Sequence, residues 1–565
     1  MTAELTLSPL VADLAPFADA GVLGAPEVHA AARLARLAGG AVPGEVLLAL
    51  ALAVRAPSAG HVCVELTTDP ARLVGAELEA EIVRGLPWPR DPDSWLDALR
   101  ACPALVAEPA TARLSPRRPL VLDGTRVYLQ RLWSDEQRVA ESLLGHAGRL
   151  QVIVGGPGTG KTTMVARMLL DELARPDPPV VALAAPTGKA AARLKEVVLD
   201  RANHSGADAR GLERLREVGA GTIHRLLGSL GPRGFRHDAH NPLPHDLVVI
   251  DEMSMVDLPL MADLLAAVRH STRLVLVGDP DQLASVEAGT VLADIVGPSR
   301  STAGAAGPLS ASVTVLRETH RFGAGSGIAQ LAGAIGGGNA DAVVDLLAAG
   351  GDELRWIPGS GDVEGPAAAP VLAEVVAGAQ QLVHLARQGD ADGALGALGH
   401  TKVLCALRRG PAGVAGWNEA VRRSLGPAAG ELWALGRPVL VTRNDPLTGL
   451  FNGDQGVVVA GAEGRRHVAV PAVGGHRLVS PGRIEHVDTA YALTIHKSQG
   501  SEYDEVVVVL PDTASPILSR ELLFTAVTRA RRRVSVIGTA DAVRAAVRQP
   551  IARSSGLADR LWGAT

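Results

Sequence analysis

The sequence predicts an α/β protein with two mainly parallel sheets, a small helical domain before them and a small β-rich insertion in the second. Three observations predict it. From about residue 120, apolar runs of strand length alternate with helix-length stretches, the signature of βαβ units. The alternation lapses and returns near the C-terminus, which makes a second unit. Residues 1–112 instead carry apolar residues at helical spacing.

The N-terminal region, 1–112, has helical spacing over His29–Leu37 and Val46–Val54, with Pro and Gly between. It reads as a packing or docking domain with nothing catalytic in it. Residues 109–119 (PATARLSPRRP) read as a linker. The first unit, 113–325, expects strands at Leu150–Val154, Val180–Ala184, Leu247–Asp251 and Leu274–Val277. Residues 298–312 and 358–370 are small-residue loops. The second unit, 326–565, expects strands at Val403–Leu407, Val506–Leu510 and Val534–Ile537. Within it, 435–487 is rich in Gly and β-branched residues, which suggests the insertion.

Composition narrows the class. A chain of 565 residues, 47% hydrophobic, holds enough apolar material for several cores. A net charge of −5 gives no global basic field for nucleic acid or anionic lipid. Three distant cysteines exclude a disulfide scaffold or zinc ribbon. The start, MTAELTLSPL, lacks the form of a signal peptide, and the longest strongly apolar run, Val46–Val54, is too short to span a bilayer. A cytoplasmic protein with no membrane partner is expected. Five lysines stand against fifty arginines, so each lysine draws attention. Lys161, Lys189, Lys195 and Lys497 fall in or beside the segments described next; only Lys402 lies elsewhere.

Residues 155–162, GGPGTGKT, fit G-x-x-x-x-G-K-[ST], with QVIV before and TTMVARMLLDEL after. In that strand–loop–helix context, the backbone of Gly155, Gly156, Pro157, Gly158, Thr159 and Gly160 curls around phosphate oxygens at a helix N-terminus that runs on through Thr163. Lys161 can reach the β and γ phosphates of a nucleotide, and the Thr162 hydroxyl can hold Mg²⁺. A compact ammonium fits that cradle where a planar guanidinium fits poorly. The run LVVIDE at 247–252 delivers Asp251 and Glu252 at a strand end, where ligands sit in parallel sheets. Asp251 suits the Mg²⁺ shell. Glu252 suits the attacking water.

Further segments follow a fixed order. Gln137 in WSDEQ is placed to read an adenine edge. Then come APTGKAAARL (185–194), TIHRLLG (222–228), LVGDPDQLASVEAG (276–289) and ETHRF (318–322). Last are TAYALTIHKSQGSEYDEVVVV (489–509) and ELLFTAVTRARRRVSVIG (521–538). The series resembles superfamily 1 DNA helicases, in particular the RecD type, the alpha chain of exodeoxyribonuclease V (RecBCD). The stretch 222–256 is especially RecD-like, and RAPSAGHVCVEL near the N-terminus more weakly so.

The resemblance implies two RecA-like P-loop motor domains with ATP between them. It implies an ATP-dependent 5′→3′ DNA helicase or translocase. Its partners would be single-stranded DNA, DNA ends, and RecB-like and RecC-like subunits, in double-strand-end processing for recombinational repair. Gln282 would sense the γ-phosphate or water, Arg529 would act as an arginine finger and Arg321 as a second one, beside Lys161, Asp251 and Glu252. DNA contacts fall to loops holding Pro186, Thr187, Lys189, Thr222, His224, Thr494, His496, Lys497 and Ser498, which suit phosphate positioning without base readout. Tyr491 and Phe524 read as core or adenine-site residues. Residues 229–245 match a pin-like β-hairpin, whose His237, His240 and His245 read as surface residues, and 444–459 match an SH3-like insertion. The alternatives are a stand-alone RecD-like helicase, an ATPase scaffold and a nuclease. The short amino-terminal region disfavours the first and the intact motor positions the second; a nuclease needs a carboxylate cluster, commonly with a nearby Lys, and no Lys follows Lys497 and no added nuclease domain is seen.

Overall fold

The computed structural model describes residues 9–563 except 41, 75–79, 115–117, 205–208, 286, 301–306, 319–322, 324, 446, 473–474, 513–514 and 516. Arg321 and part of the expected 298–312 loop lie outside the described residues.

The N-terminal helices form where the spacing predicts. Helix Gly44–Arg55 buries every residue from Val46 to Ala53, and Ala25–Leu37 buries Val28, Ala31, Ala32 and Ala35. A helix apolar all round must be covered on all sides. Part of that cover is a four-stranded sheet: β1 (Cys63–Glu65), β2 (Val106–Ala107), β3 (Leu120–Asp123) and β4 (Arg126–Leu129), in the order β1-β4-β3-β2. The domain is therefore not purely helical, and its sheet runs past residue 112. The stretch read as a linker holds a helix, Pro109–Leu114. Pro and Arg content suggested a linker, but β4 pairs with β1 some sixty residues earlier, a contact without local signature. The local sign was the turn: Gly124 sits at φ +63° in the two-residue connection between β3 and β4.

The first lobe is a six-stranded, wholly parallel sheet. Its strands are β5 (Leu150–Gly155), β6 (Val181–Ala185), β7 (Ala220–Thr222), β8 (Leu247–Ile250), β9 (Arg273–Gly278) and β10 (Val313–Leu316), ordered β10-β5-β9-β8-β6-β7. Both faces are buried. Ile153, Val249 and Val275 pack on one side, and Val152, Val248 and Leu274 on the other. That is why these strands read as continuous apolar runs.

The second lobe begins with β11 (Leu354–Ile357) and β12 (Thr401–Cys405). An antiparallel sheet then interrupts it: β13 (Pro438–Val441), β14 (Gln455–Ala460), β15 (Arg466–Ala472), β16 (Gly475–Val479) and β17 (Val487–Thr489), ordered β16-β15-β14-β13-β17. The lobe resumes with β18 (Ala492–Thr494), β19 (Tyr503–Val509) and β20 (Ala530–Ile537), giving a parallel sheet β11-β20-β19-β12-β18. The chain ends with a tail whose helix, Leu557–Trp562, packs back on the first lobe through Trp562 Nε1 donating to Asp294 O at 3.1 Å. In 229–245, one antiparallel bridge joins Ser229 to Phe235, and no strand forms among the described residues. Pro232, Pro242 and Pro244 each remove a ladder donor there.

Candidate functional site

Sheet order explains why three distant segments meet. β5, β9 and β8 are neighbours, so the turns after Gly155, Gly278 and Ile250 open at one edge. They line one side of a cleft of about 900 Å³ between the lobes; Gly500, Glu502 and Arg529 of the second lobe line the other.

The turn after β5 passes through Gly158 and Gly160 at φ +77° and +86°, a backbone that disfavours side chains. At Gly155 an added Cβ would sit 2.5 Å from Leu316 O. The turn then opens helix Lys161–Leu173, whose first N–H groups have no partner within the helix. Lys161 Nζ folds back onto the carbonyls of Gly155 and Gly156, at 2.5 and 2.9 Å. Thr159 Oγ1 donates to Gly156 O at 2.8 Å. Thr162 and Thr163 line the cleft at the start of the helix.

Asp251 follows β8. Its Oδ1 accepts from Glu252 N at 2.9 Å, and Glu252 sits at φ +54°, the one left-handed non-glycine among the described residues. Such strain persists where surrounding structure enforces it. Burial pushes the Asp251 carboxyl well above the usual carboxylate range, the Glu252 charge adds to the rise, and Lys161 opposes it. Burial also raises Asp279, which accepts from Gln282 Nε2 at 3.0 Å. Gln282 Oε1 is buried with no partner. Two raised carboxylates, one of them buried, an unpartnered carbonyl oxygen and orphan N–H groups suit a cation and a polyanion together. Among the described residues, no three His, Cys, Asp or Glu gather as a metal site of their own. A Mg²⁺ held by Thr162 and Asp251 would thus share its shell with phosphate and water.

Arg529 is 4% exposed and reaches the cleft from the second lobe, its Nε donating to Thr525 O at 3.1 Å. The lobes are tied beside it. Arg193 pairs with Glu502 at 2.5 Å and donates to Gly500 O at 2.9 Å. Lys189 Nζ donates to Ser501 Oγ at 2.7 Å, and burial lowers it to about 8. Gln499 Nε2 donates to Leu283 O, and Leu283 N to Thr525 Oγ1.

The cleft thus gathers Pro157 to Thr163, Asp251, Glu252, Gln282 and Arg529. Gln137 does not line it; its Oε1 accepts from Arg113 at 2.8 Å. Pro186 and Thr187 form the turn before helix Gly188–His204, where Thr187 Oγ1 accepts from Ala190 N. Thr222 caps helix Ile223–Leu227, and the His224 ring lies 5.7 Å from Phe235. Thr494 and Ser498 are buried, burial lowers His496, and Lys497 pairs with Asp488 at 3.1 Å. Tyr491 and Phe524 are buried in apolar clusters. Asp279, Arg193 and Glu502 were not singled out from sequence. Each lies inside a quoted segment, but the pairing of Arg193 with Glu502 spans three hundred residues.

Three family models match the chain: the N-terminal domain of RecBCD enzyme subunit RecD over residues 19–128, an AAA domain over 132–355 and a UvrD-like helicase C-terminal domain over 489–537. RecBCD enzyme subunit RecD of Mycolicibacterium smegmatis is 45% identical over 96% of this chain and 98% of its own length. The RecD subunit of Mycobacterium tuberculosis is 44% identical over 96% of each. An ATP-dependent RecD2 DNA helicase of Deinococcus radiodurans is 36% identical over 76% of this chain and 52% of its own. Among solved structures, Bacteroides Pif1 bound to ssDNA has a TM-score of 0.37 at 18% identity, covering 71% of this chain and 91% of its own. Among the described residues, no helix is long and apolar enough to cross a membrane.

Proposed function

The chain belongs to the family of RecBCD enzyme subunit RecD, and from that premise we propose that it is an ATP-driven 5′→3′ DNA motor working on double-strand ends for recombinational repair, beside RecB-like and RecC-like partners. The observation that carries this reading is the cleft. A phosphate loop and two carboxylates face an arginine that belongs to the other lobe. A nucleotide bridging them ties its hydrolysis to the relation between lobes, which is what a translocase requires.

In this reading Lys161 gives up its two carbonyl partners for phosphate oxygens, and the helix N–H groups add partial positive charge. Glu252 orients the water and takes its proton. Gln282 offers its unpaired oxygen to the same water. Arg529 lowers the barrier by meeting charge that develops only in the transition state. Thr162 and Asp251 would hold Mg²⁺, which would supply charge neutralisation at the phosphates. DNA runs over the loops with Pro186, Thr187, Thr222, His224, His496 and Lys497, which hold its phosphate backbone; Thr494 and Ser498, expected at the same surface, are buried and shape the last of these loops from within. Lys189, expected at the same surface, instead ties the lobes through Ser501. The match to the RecD N-terminal domain supports partner docking by that domain, whose sheet extends it to Leu129.

An unwinding assay on 5′- and 3′-tailed duplexes tests the reading, with the chain alone and with co-purified partners. ATP-dependent opening of the 5′-tailed duplex is expected. Opening of only the 3′-tailed duplex, or of neither in any assembly, overturns it.

A further inference from the structure

The segment RAPSAGHVCVEL has no part in the cleft, yet it meets the chain's C-terminal tail. The tail leaves the second lobe at Gln549 and Ile551, where Gln549 O accepts from Arg520 N and Ile551 N donates to Glu521 Oε2 at 2.9 Å. Two residues on, Arg553 reaches the first lobe. Its guanidinium donates to three backbone carbonyls, Ser285 at 2.6 Å and Glu287 and Gly289 at 2.9 Å. Ser554 then binds the N-terminal domain: its N donates to His61 Nδ1 at 2.9 Å, and its O accepts from Val62 N at 2.8 Å. Gly60 O in turn accepts from Gly289 N at 2.9 Å. Three parts of the fold therefore meet around one side chain.

Ser285, Glu287 and Gly289 closely follow Gln282 in the chain. Carbonyl oxygens converging on one point repel unless a cation with several forked donors sits among them, and a guanidinium meets that need. Gly60 is at φ +83°, and a Cβ there would lie 2.6 Å from Arg553 Nε. The glycine thus leaves room for the guanidinium, which gives this N-terminal motif a physical reason. We propose that Arg553 is a positioning residue for Gln282, and that its junction with Gly60, His61 and Val62 links the nucleotide cleft to the N-terminal domain. This rests on the reading that Gln282 faces the nucleotide.

The test is DNA-stimulated ATP hydrolysis by the full chain and its variants. Arg553→Ala and Gly60→Ala should each lower kcat about tenfold or more, since misplacing a reacting group by about 1 Å can cost about 10²-fold. KM for ATP should shift less than about twofold, because the phosphate loop is untouched. The double variant should be no slower than the worse single, as both act on one contact. Trp562→Phe, which loosens only the far end of the tail, should match wild type. If Arg553→Ala fails to fold, Arg553→Gln carries the same prediction. Unchanged kcat in the Arg553 and Gly60 variants, additive losses, or an equal loss in Trp562→Phe overturns the inference. A wild-type chain without DNA-stimulated hydrolysis overturns the motor reading and this inference with it; an active wild type with indifferent variants overturns this inference alone.

Discussion

In the first lobe, the turn from β5 into its helix curls through left-handed Gly158 and Gly160 and leaves a helix N-terminus facing the cleft. In the second, the turn from β12 into helix Val414–Leu425 closes on itself. Val414 N donates to Leu407 O at 3.0 Å, Ala415 N to Arg408 O at 3.1 Å and Gly413 N to Gly410 O at 3.0 Å. Both are strand–turn–helix units of parallel sheets, yet only one keeps its donors for a ligand. The sheet provides the position; the residues of the turn decide whether an anion can use it. The second lobe instead contributes Gly500, Glu502 and Arg529 to the lining of the cleft.

Variants can break that division, beginning with the largest effect. Lys161→Ala removes the ammonium of the binding lobe and should cut DNA-stimulated phosphate release about 10³-fold. Lys161→Arg should fare little better, and the thermal midpoint should hold within about 2 °C. Glu252→Gln should lower kcat about 10²-fold while a fluorescent ATP analogue still binds. Arg193→Ala removes one tie between lobes. The half-buried pair it breaks is worth about 1 kcal/mol, so KM for ATP should change by about fivefold or less in a steady-state titration.

The smallest effect concerns stability. Lys402 in β12 is 2% exposed, its Nζ donates to Ala490 O at 2.8 Å, and burial lowers it to about 7. Between that value and the unfolded value near 10.5, the unfolded chain binds the extra proton, so stability rises with pH across this window. At pH 7 the lysine still weighs against folding. Lys402→Met should raise the unfolding midpoint by about 2–4 °C at pH 7, with the gain shrinking toward pH 10 in a differential scan.

How far these features were legible depended on whether their cause was local. The strands at Leu150, Val181, Leu247 and Arg273, and the part of β19 from Val506, were visible because burial on both faces leaves an unbroken apolar run. The phosphate loop was visible because glycines, Lys161 and Thr162 must be consecutive to work. The edge strands β7 and β10 are short and half-buried, and carry little pattern. The N-terminal sheet, the tie between Lys189 and Ser501 and the seat of Arg553 join residues far apart in the chain. One arginine among fifty carries no sign of which carbonyls it will meet. Gln137 shows the converse: a local motif suggested contact with an adenine edge, while in the structure its side chain accepts from Arg113, a contact with no local sign.

The central claim is that one lobe binds the nucleotide and the other completes its hydrolysis. The most direct measurement is single-turnover ATP hydrolysis on saturating single-stranded DNA by the Arg529→Ala chain, alongside its equilibrium affinity for ATP. The account predicts an affinity within about threefold of wild type and a hydrolysis rate lower by about 10³-fold. Equal losses of affinity and rate, or a wild-type rate, would contradict it.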